Sequence, residues 1–113
     1  MGENVILEKS FKFAVRVVKL YKYLCEDKKE FVLSKQILRS GTSIGANAEE
    51  AIAGQSNKDF IAKISIAQKE ARETRYWLKL LLETDYLTAE QGDSLLQDIE
   101  ELNKIRQLYT SLR

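Results

Sequence analysis

Apolar and small residues recur along the second half of the chain in alternating steps of four and three: Phe60, Ile64, Ala67, Ala71, Thr74, Leu78 and Leu81. At about 100° per residue these positions fall on one stripe, the pattern of a helix packed lengthwise against partners. An earlier stripe, Leu33, Ile37, Gly41, Ile44, Ala48 and Ile52, keeps the same rhythm but has Gly and Ala where bulky side chains are usual. Glycine in mid-helix costs roughly 1 kcal/mol relative to alanine, so the pattern predicts two backbones in close approach that repay it.

Four helices follow from the same reading. The first spans about residues 6–26 and ends in the charged run Glu26-Asp27-Lys28-Lys29-Glu30. The second spans about residues 32–53, with Gly54 as its stop. Ser56 or Asn57 caps the third, which reaches about Thr84 and is roughly 40 Å long at 1.5 Å per residue. Thr88 opens the fourth, because Thr88 and Gln91 have the spacing of a capping box. Its apolar positions are Leu95, Ile99, Leu102, Ile105 and Tyr109. Connections this short force consecutive helices to lie antiparallel. The expected fold is therefore all-α, a single up-down-up-down antiparallel four-helix bundle over residues 1–113.

Composition agrees with long helices: 44% of residues are hydrophobic, 31% are charged and none is proline. No apolar run approaches the roughly 18 residues of a membrane span. The N-terminus lacks the apolar core and cleavage site of a signal peptide, and Ile6 stands where a myristoylation motif needs Ser or Thr. A cytoplasmic protein with no membrane partner is expected. The one cysteine, Cys25, lies on the apolar side of the first helix and reads as a small core hydrophobe.

The absence of histidine removes the imidazole base that a Ser or Cys nucleophile needs, and with it the Glu-x-x-His pairs of di-iron bundles. Glu49, Glu50, Glu70 and Glu73 remain as carboxylates for Mg²⁺ or acid–base work, but nothing in their spacing demands it. The Ser40 to Gly45 segment lacks the Gly-Lys-Ser/Thr ending of a phosphate loop and sits inside a helical pattern. No catalytic residue, metal or cofactor is expected, and the chain does not read as an enzyme.

Lys9, Lys12, Arg16, Lys19 and Lys22 occur in a stretch without an acidic residue, on the side of the first helix away from Phe13, Val17, Leu20, Tyr21 and Leu24. Such a stripe can track phosphates. The solvated face of an amphipathic helix has the same pattern, and the net charge of only +1, small for a dedicated nucleic-acid module, favours that reading.

Beside its core stripe the third helix carries Ala62, Ile66, Trp77 and Leu80, interrupted by Glu70 and Glu73. The second helix has a matching face of Gln36, Arg39, Ser40, Ser43, Asn47 and Glu50. Small residues beside an arginine suit a close intersubunit contact, with Trp77 as anchor and Arg39 as the forked partner of a carboxylate. The expected oligomer interface is Arg39, Ser43, Asn47, Glu50, Ile66, Glu70, Glu73, Trp77 and Leu80. Because the surfaces differ, the contact would be heterologous and close into a ring. In the alternative, Trp77 and Ile66 complete the monomer core and Arg39 caps polar groups within it.

The segment LSKQILRSGTSIGANAEEA, residues 33–51, followed by Asp59-Phe60 and Ile66-Ala67, resembles the bacterial four-helix-bundle proteins known as 23S rRNA intervening-sequence proteins. Arg39, Ser43, Ile44, Asn47 and Glu50 fall where that family's central pattern expects them, and Glu73 matches a later glutamate. The run Lys69-Glu70-Ala71-Arg72-Glu73-Thr74-Arg75-Tyr76-Trp77-Leu78 looks like one subgroup. Gly45 stands where many members have Pro and Ala51 where many have Gly, and both are compatible with helix. Members occur as reading frames inside insertions in 23S rRNA genes. A similar fold serves as the accessory protein of diversity-generating retroelements, a barrel-shaped pentamer that associates with nucleic acid and a reverse transcriptase. The resemblance thus implies a pentameric, non-enzymatic scaffold that docks RNA or a nucleic-acid enzyme. The competing expectation is a protein–protein adaptor that binds no nucleic acid.

Overall fold

Helices form where the apolar periodicity places them, in a computed structural model that describes residues 2–54 and 56–104. They are α1 (Gly2–Glu26), α2 (Leu33–Ala53), α3 (Asn57–Glu83) and α4 (Ala89–Asn103). α1 starts four residues before the expected Ile6. Ile105 and Tyr109, expected on α4, lie outside the described residues.

Local signals act as the sequence implies at two of the helix starts. The Ser56 hydroxyl accepts the Asp59 N–H at 3.1 Å, capping α3. At α4 the Gln91 N–H reaches the Thr88 hydroxyl at 3.2 Å and the Thr88 N–H reaches Gln91 Oε1 at 3.0 Å, a complete capping box.

α2 is capped in a way the sequence reading missed. Lys29 takes a left-handed φ of 54°, and the Glu30 carboxylate then folds over the helix start. It accepts the N–H groups of Val32 (3.1 Å), Leu33 (3.0 Å) and Ser34 (2.7 Å). Burial pushes the Glu30 carboxyl up, but the hydrogen bonds from Leu33, Ser34 and Val32 outweigh it and hold the carboxyl below the ordinary range. A depressed folded-state pKa means that Glu30 contributes stability above its ordinary value of 4.5 and loses it as the pH falls through the lower folded value. Acid denaturation of Glu30→Gln should therefore show a shallower loss of stability below about pH 4.5 than the parent chain. An unchanged slope would show that the cap carries no pH-dependent energy.

Paired residues fix the packing order. Val17 meets Gly41 across α1 and α2, Thr74 meets Ser40 across α2 and α3, Gly92 meets Leu82 across α3 and α4, and Arg16 meets Asp98 across α1 and α4. Every sequential neighbour runs antiparallel, and among the described residues α1 and α3, like α2 and α4, sit on diagonals whose backbones do not come into close approach. The α1–α4 seam is the most sparsely packed of the four.

All seven stripe residues of α3 are buried. The core joins Phe13, Val17 and Leu24 of α1 to Ile37 and Ile44 of α2, Leu78 and Leu81 of α3, and Ile99 of α4. Ile6, Ala48, Ala51, Phe60 and Ile64 form a second cluster towards the other end. The small residues of α2 act as their pattern predicts. A Cβ on Gly41 would lie 2.7 Å from Val17 Cγ2, and one on Gly45 would lie 3.4 Å from the Ser10 carbonyl oxygen. The buried Thr74 hydroxyl bonds the Glu70 carbonyl at 2.8 Å and the Ser40 hydroxyl at 2.9 Å, so this core polar group is satisfied. Cys25 differs from the expected core position: it is half-buried, with Sγ 3.7 Å from the Ser34 hydroxyl. Among the described residues no helix is long and apolar enough to cross a membrane.

Candidate functional site

Antiparallel packing of α2 on α3 brings residue 39 opposite residues 70 and 73, and residue 50 opposite residue 63. The Arg39 guanidinium forks, one nitrogen donating to Glu70 Oε2 at 3.0 Å and the other to Glu73 Oε2. Glu73 Oε2 also accepts the Trp77 indole N–H at 3.2 Å. One cation therefore serves two carboxylates, and the cluster keeps a net charge of about −1. Glu70 is buried, whereas Arg39 and Glu73 reach solvent.

The same seam holds the remaining polar candidates. Ser43 donates to the Arg39 carbonyl at 2.7 Å, Asn47 donates to the Ser43 carbonyl at 2.8 Å, and Lys63 pairs with Glu50 at 3.2 Å. The structure thus collects Arg39, Ser43, Asn47, Glu50, Glu70, Glu73 and Trp77 on one flank. The carboxylates that Arg39 grips belong to its own chain, so this fork is an intrachain clasp.

The second stripe of α3 divides along its length. Trp77 and Leu80 are half-buried, and Trp77 packs on the core with Tyr76 edge-on, ring centroids 5.2 Å apart. Ile66 stays 42% exposed and Tyr76 59% exposed, and Ala62 also faces solvent.

Four of the five α1 cations, Lys9, Lys12, Arg16 and Lys19, lie along a groove rather than on an open face. Lys9 pairs with Glu101 of α4, and Arg16 with Asp98, while a second Arg16 nitrogen reaches the Ser94 hydroxyl at 2.9 Å. Lys12 pairs with Glu8 at 2.8 Å, and that hydrogen bond and charge raise the Lys12 pKa above the ordinary lysine value. Lys19 and Lys22 are exposed and have no ion-pair partner among the described residues. Between α1 and α4 the groove opens into a hollow of about 340 Å³, with Arg16, Lys19, Tyr23 and Gln91 around a floor of Leu20, Leu87 and Leu95. Sequence reasoning placed the cations correctly on α1. It missed Glu101 and Asp98 because a single-helix wheel carries no information about the facing helix, and it missed Glu8 because the acid-free stretch begins at Lys9, one residue past it.

A further surface was missed although its signal was present. Phe11, Val15 and Val18, followed by Lys22, repeat the core spacing of Phe13, Val17, Leu20 and Leu24 two residues earlier, about half a turn around α1. Phe11 is 68% exposed, Val15 39% and Val18 38%. Among the described residues no three His, Cys, Asp or Glu side chains stand together as a metal-binding group.

Comparison with known proteins agrees with this architecture. Residues 2–107 match the family model described as 23S rRNA-intervening sequence protein. A crystal structure from Bacteroides thetaiotaomicron, described as a protein with unknown function from the S23 ribosomal protein family, is 57% identical. It superposes with a TM-score of 0.92, the match covering 97% of this chain and 96% of that one. No curated protein sequence matches the chain. The chain belongs to the 23S rRNA-intervening sequence protein family.

Proposed function

We propose that this family member is a cytoplasmic, non-enzymatic scaffold that assembles with copies of itself and docks RNA or a nucleic-acid enzyme. The observation that carries the reading is the α2–α3 flank, where exposed Ile66 stands one turn before Glu70 and exposed Tyr76 lies edge-on to Trp77, whose indole bonds the Arg39–Glu70–Glu73 clasp. Aromatic side chains beside an arginine are the composition of an interface centre. The clasp already holds Arg39 and Trp77 in place, which lowers the ordering cost of association. Dissimilar contact surfaces close into a ring where the rotation between copies closes, and both the closure and the five-fold number are carried over from the resemblance. A ring repeats Lys12 and Lys19 once per copy, so weak phosphate contacts add through multivalency.

One observation favours the adaptor reading: Lys9, Lys12 and Arg16 already have carboxylate partners in Glu101, Glu8 and Asp98. Fluorescence anisotropy with a structured RNA at two salt concentrations separates the two. The scaffold reading expects binding that weakens steeply with salt, and a Lys12→Glu, Lys19→Glu double variant that binds at least about tenfold more weakly. No binding at low salt, or binding indifferent to the double variant, would leave the adaptor.

A further inference from the structure

We propose that the outer face of α1, formed by Phe11, Val15 and Val18 with Lys22, receives the Ile66–Tyr76–Trp77 edge of α3 from a second copy of this chain. The inference rests on the self-assembly reading and names the surface that reading leaves open.

α1 is apolar on two opposite sides. Its core side is filled by Phe13, Val17, Leu20 and Leu24, and its outer stripe points away from the bundle. Nothing among the described residues covers that stripe, because α2 and α4 flank the core side and α3 lies across the diagonal. Three large apolar side chains in helical register, with Phe11 68% exposed, form a patch of the kind that marks an association site.

Two features identify the occupant as another copy. The α1 stripe and the α3 edge occupy diagonal corners and are chemically different. A two-fold pairing through either one would cover it and leave the other wet, whereas a head-to-tail contact covers both. The charges also match. The Arg39–Glu70–Glu73 clasp has one carboxylate more than its arginine neutralises, and residues 9–25 of α1 contain no acidic side chain. Lys22 stands one turn beyond Val18 on the same stripe, exposed and without an ion-pair partner among the described residues. It supplies the cation that the clasp lacks.

Dimensions agree. Phe11 to Lys22 and Ile66 to Trp77 each span eleven residues, about 16 Å of helix. A flank of a bundle measuring 44 × 21 × 19 Å offers on the order of the 800 Å² per partner that a stable interface buries. Lys12 and Lys19 line the groove between α1 and α4, around the helix from this stripe.

Thiol cross-linking tests the pairing. In a Cys25→Ser background, Val18→Cys and Ile66→Cys chains are prepared separately, mixed under exchange conditions and treated with a short bis-maleimide, while light scattering gives the mass of the parent chain. The inference expects covalent dimers in the mixture and few in either chain alone. It also expects Phe11→Asp and Lys22→Glu to raise the concentration for half-assembly at least about tenfold, with the helical circular dichroism and melting of each folded chain retained. A monomeric parent chain would overturn both the assembly reading and this inference. An oligomeric parent whose Val18→Cys chains cross-link to themselves, or whose mass is indifferent to Phe11→Asp, would overturn this inference alone.

Discussion

Leucine at Gly41 should destabilise the bundle by at least about 3 kcal/mol, the upper end of overpacking costs, out of the roughly 5–15 kcal/mol that holds a domain folded. A single Cβ at this position already comes within 2.7 Å of Val17 Cγ2 and 2.9 Å of Cγ1. Val17 is fully buried and β-branched, so it has no alternative rotamer with room to retreat. The α1 and α2 backbones must therefore separate, which opens contacts along the seam as far as Ser10 and Gly45. Gly41→Ala should lose much less, about 1 kcal/mol, because the gain in helix propensity offsets part of the clash. Val17→Ala placed on Gly41→Leu should recover a substantial part of the loss. Denaturant melts at one protein concentration measure all three, since the proposed assembly would make stability concentration-dependent. Wild-type stability in Gly41→Leu would show that the two backbones are not in close approach.

The second large effect belongs to the clasp. Arg39→Ala should cost about 2 kcal/mol and lower the melting temperature by roughly 10 °C, because it leaves buried Glu70 beside Glu73 with no cation. Much of that cost is like-charge repulsion and an uncompensated carboxylate, not the lost ion pair itself. Glu70→Gln added to Arg39→Ala should therefore restore about half of it, a coupling of roughly 1 kcal/mol in a double-mutant cycle. Additive losses would mean that Arg39 and Glu70 act independently. Arg39→Lys should fall between, since a lysine keeps the charge but cannot fork to two carboxylates.

Most of the fold was legible because it is written in periodicity that a single helix carries alone. The seven-residue stripe from Phe60 to Leu81 is buried throughout, and Gly41 and Ala48 lie in the core where their size predicts close helix packing. The Thr88–Gln91 capping box is equally local, needing only three residues of spacing. Features that depend on chain reversal or on a facing helix were not legible. Glu30 caps α2 only because Lys29 turns the backbone left-handed, which a run of charges does not announce.

The α1 cations looked unopposed in their own segment, yet antiparallel packing sets Asp98 and Glu101 against Arg16 and Lys9. The candidate flank was half legible for the same reason. Its residues were assigned to one face of α2 and one face of α3, and they do lie together. What a wheel cannot show is that Arg39 reaches Glu70 and Glu73 within the chain, or that Trp77 leans on the core while Ile66 stays exposed.

The absolute mass of the wild-type chain in solution at micromolar concentration, by multi-angle light scattering, tests the assembly account most directly. A closed ring predicts one species at a whole-number multiple of 13.0 kDa that holds its mass on dilution, five-fold if the resemblance in assembly carries over. A single peak at 13.0 kDa would contradict the account, leaving Phe11, Ile66 and Tyr76 exposed on an isolated bundle.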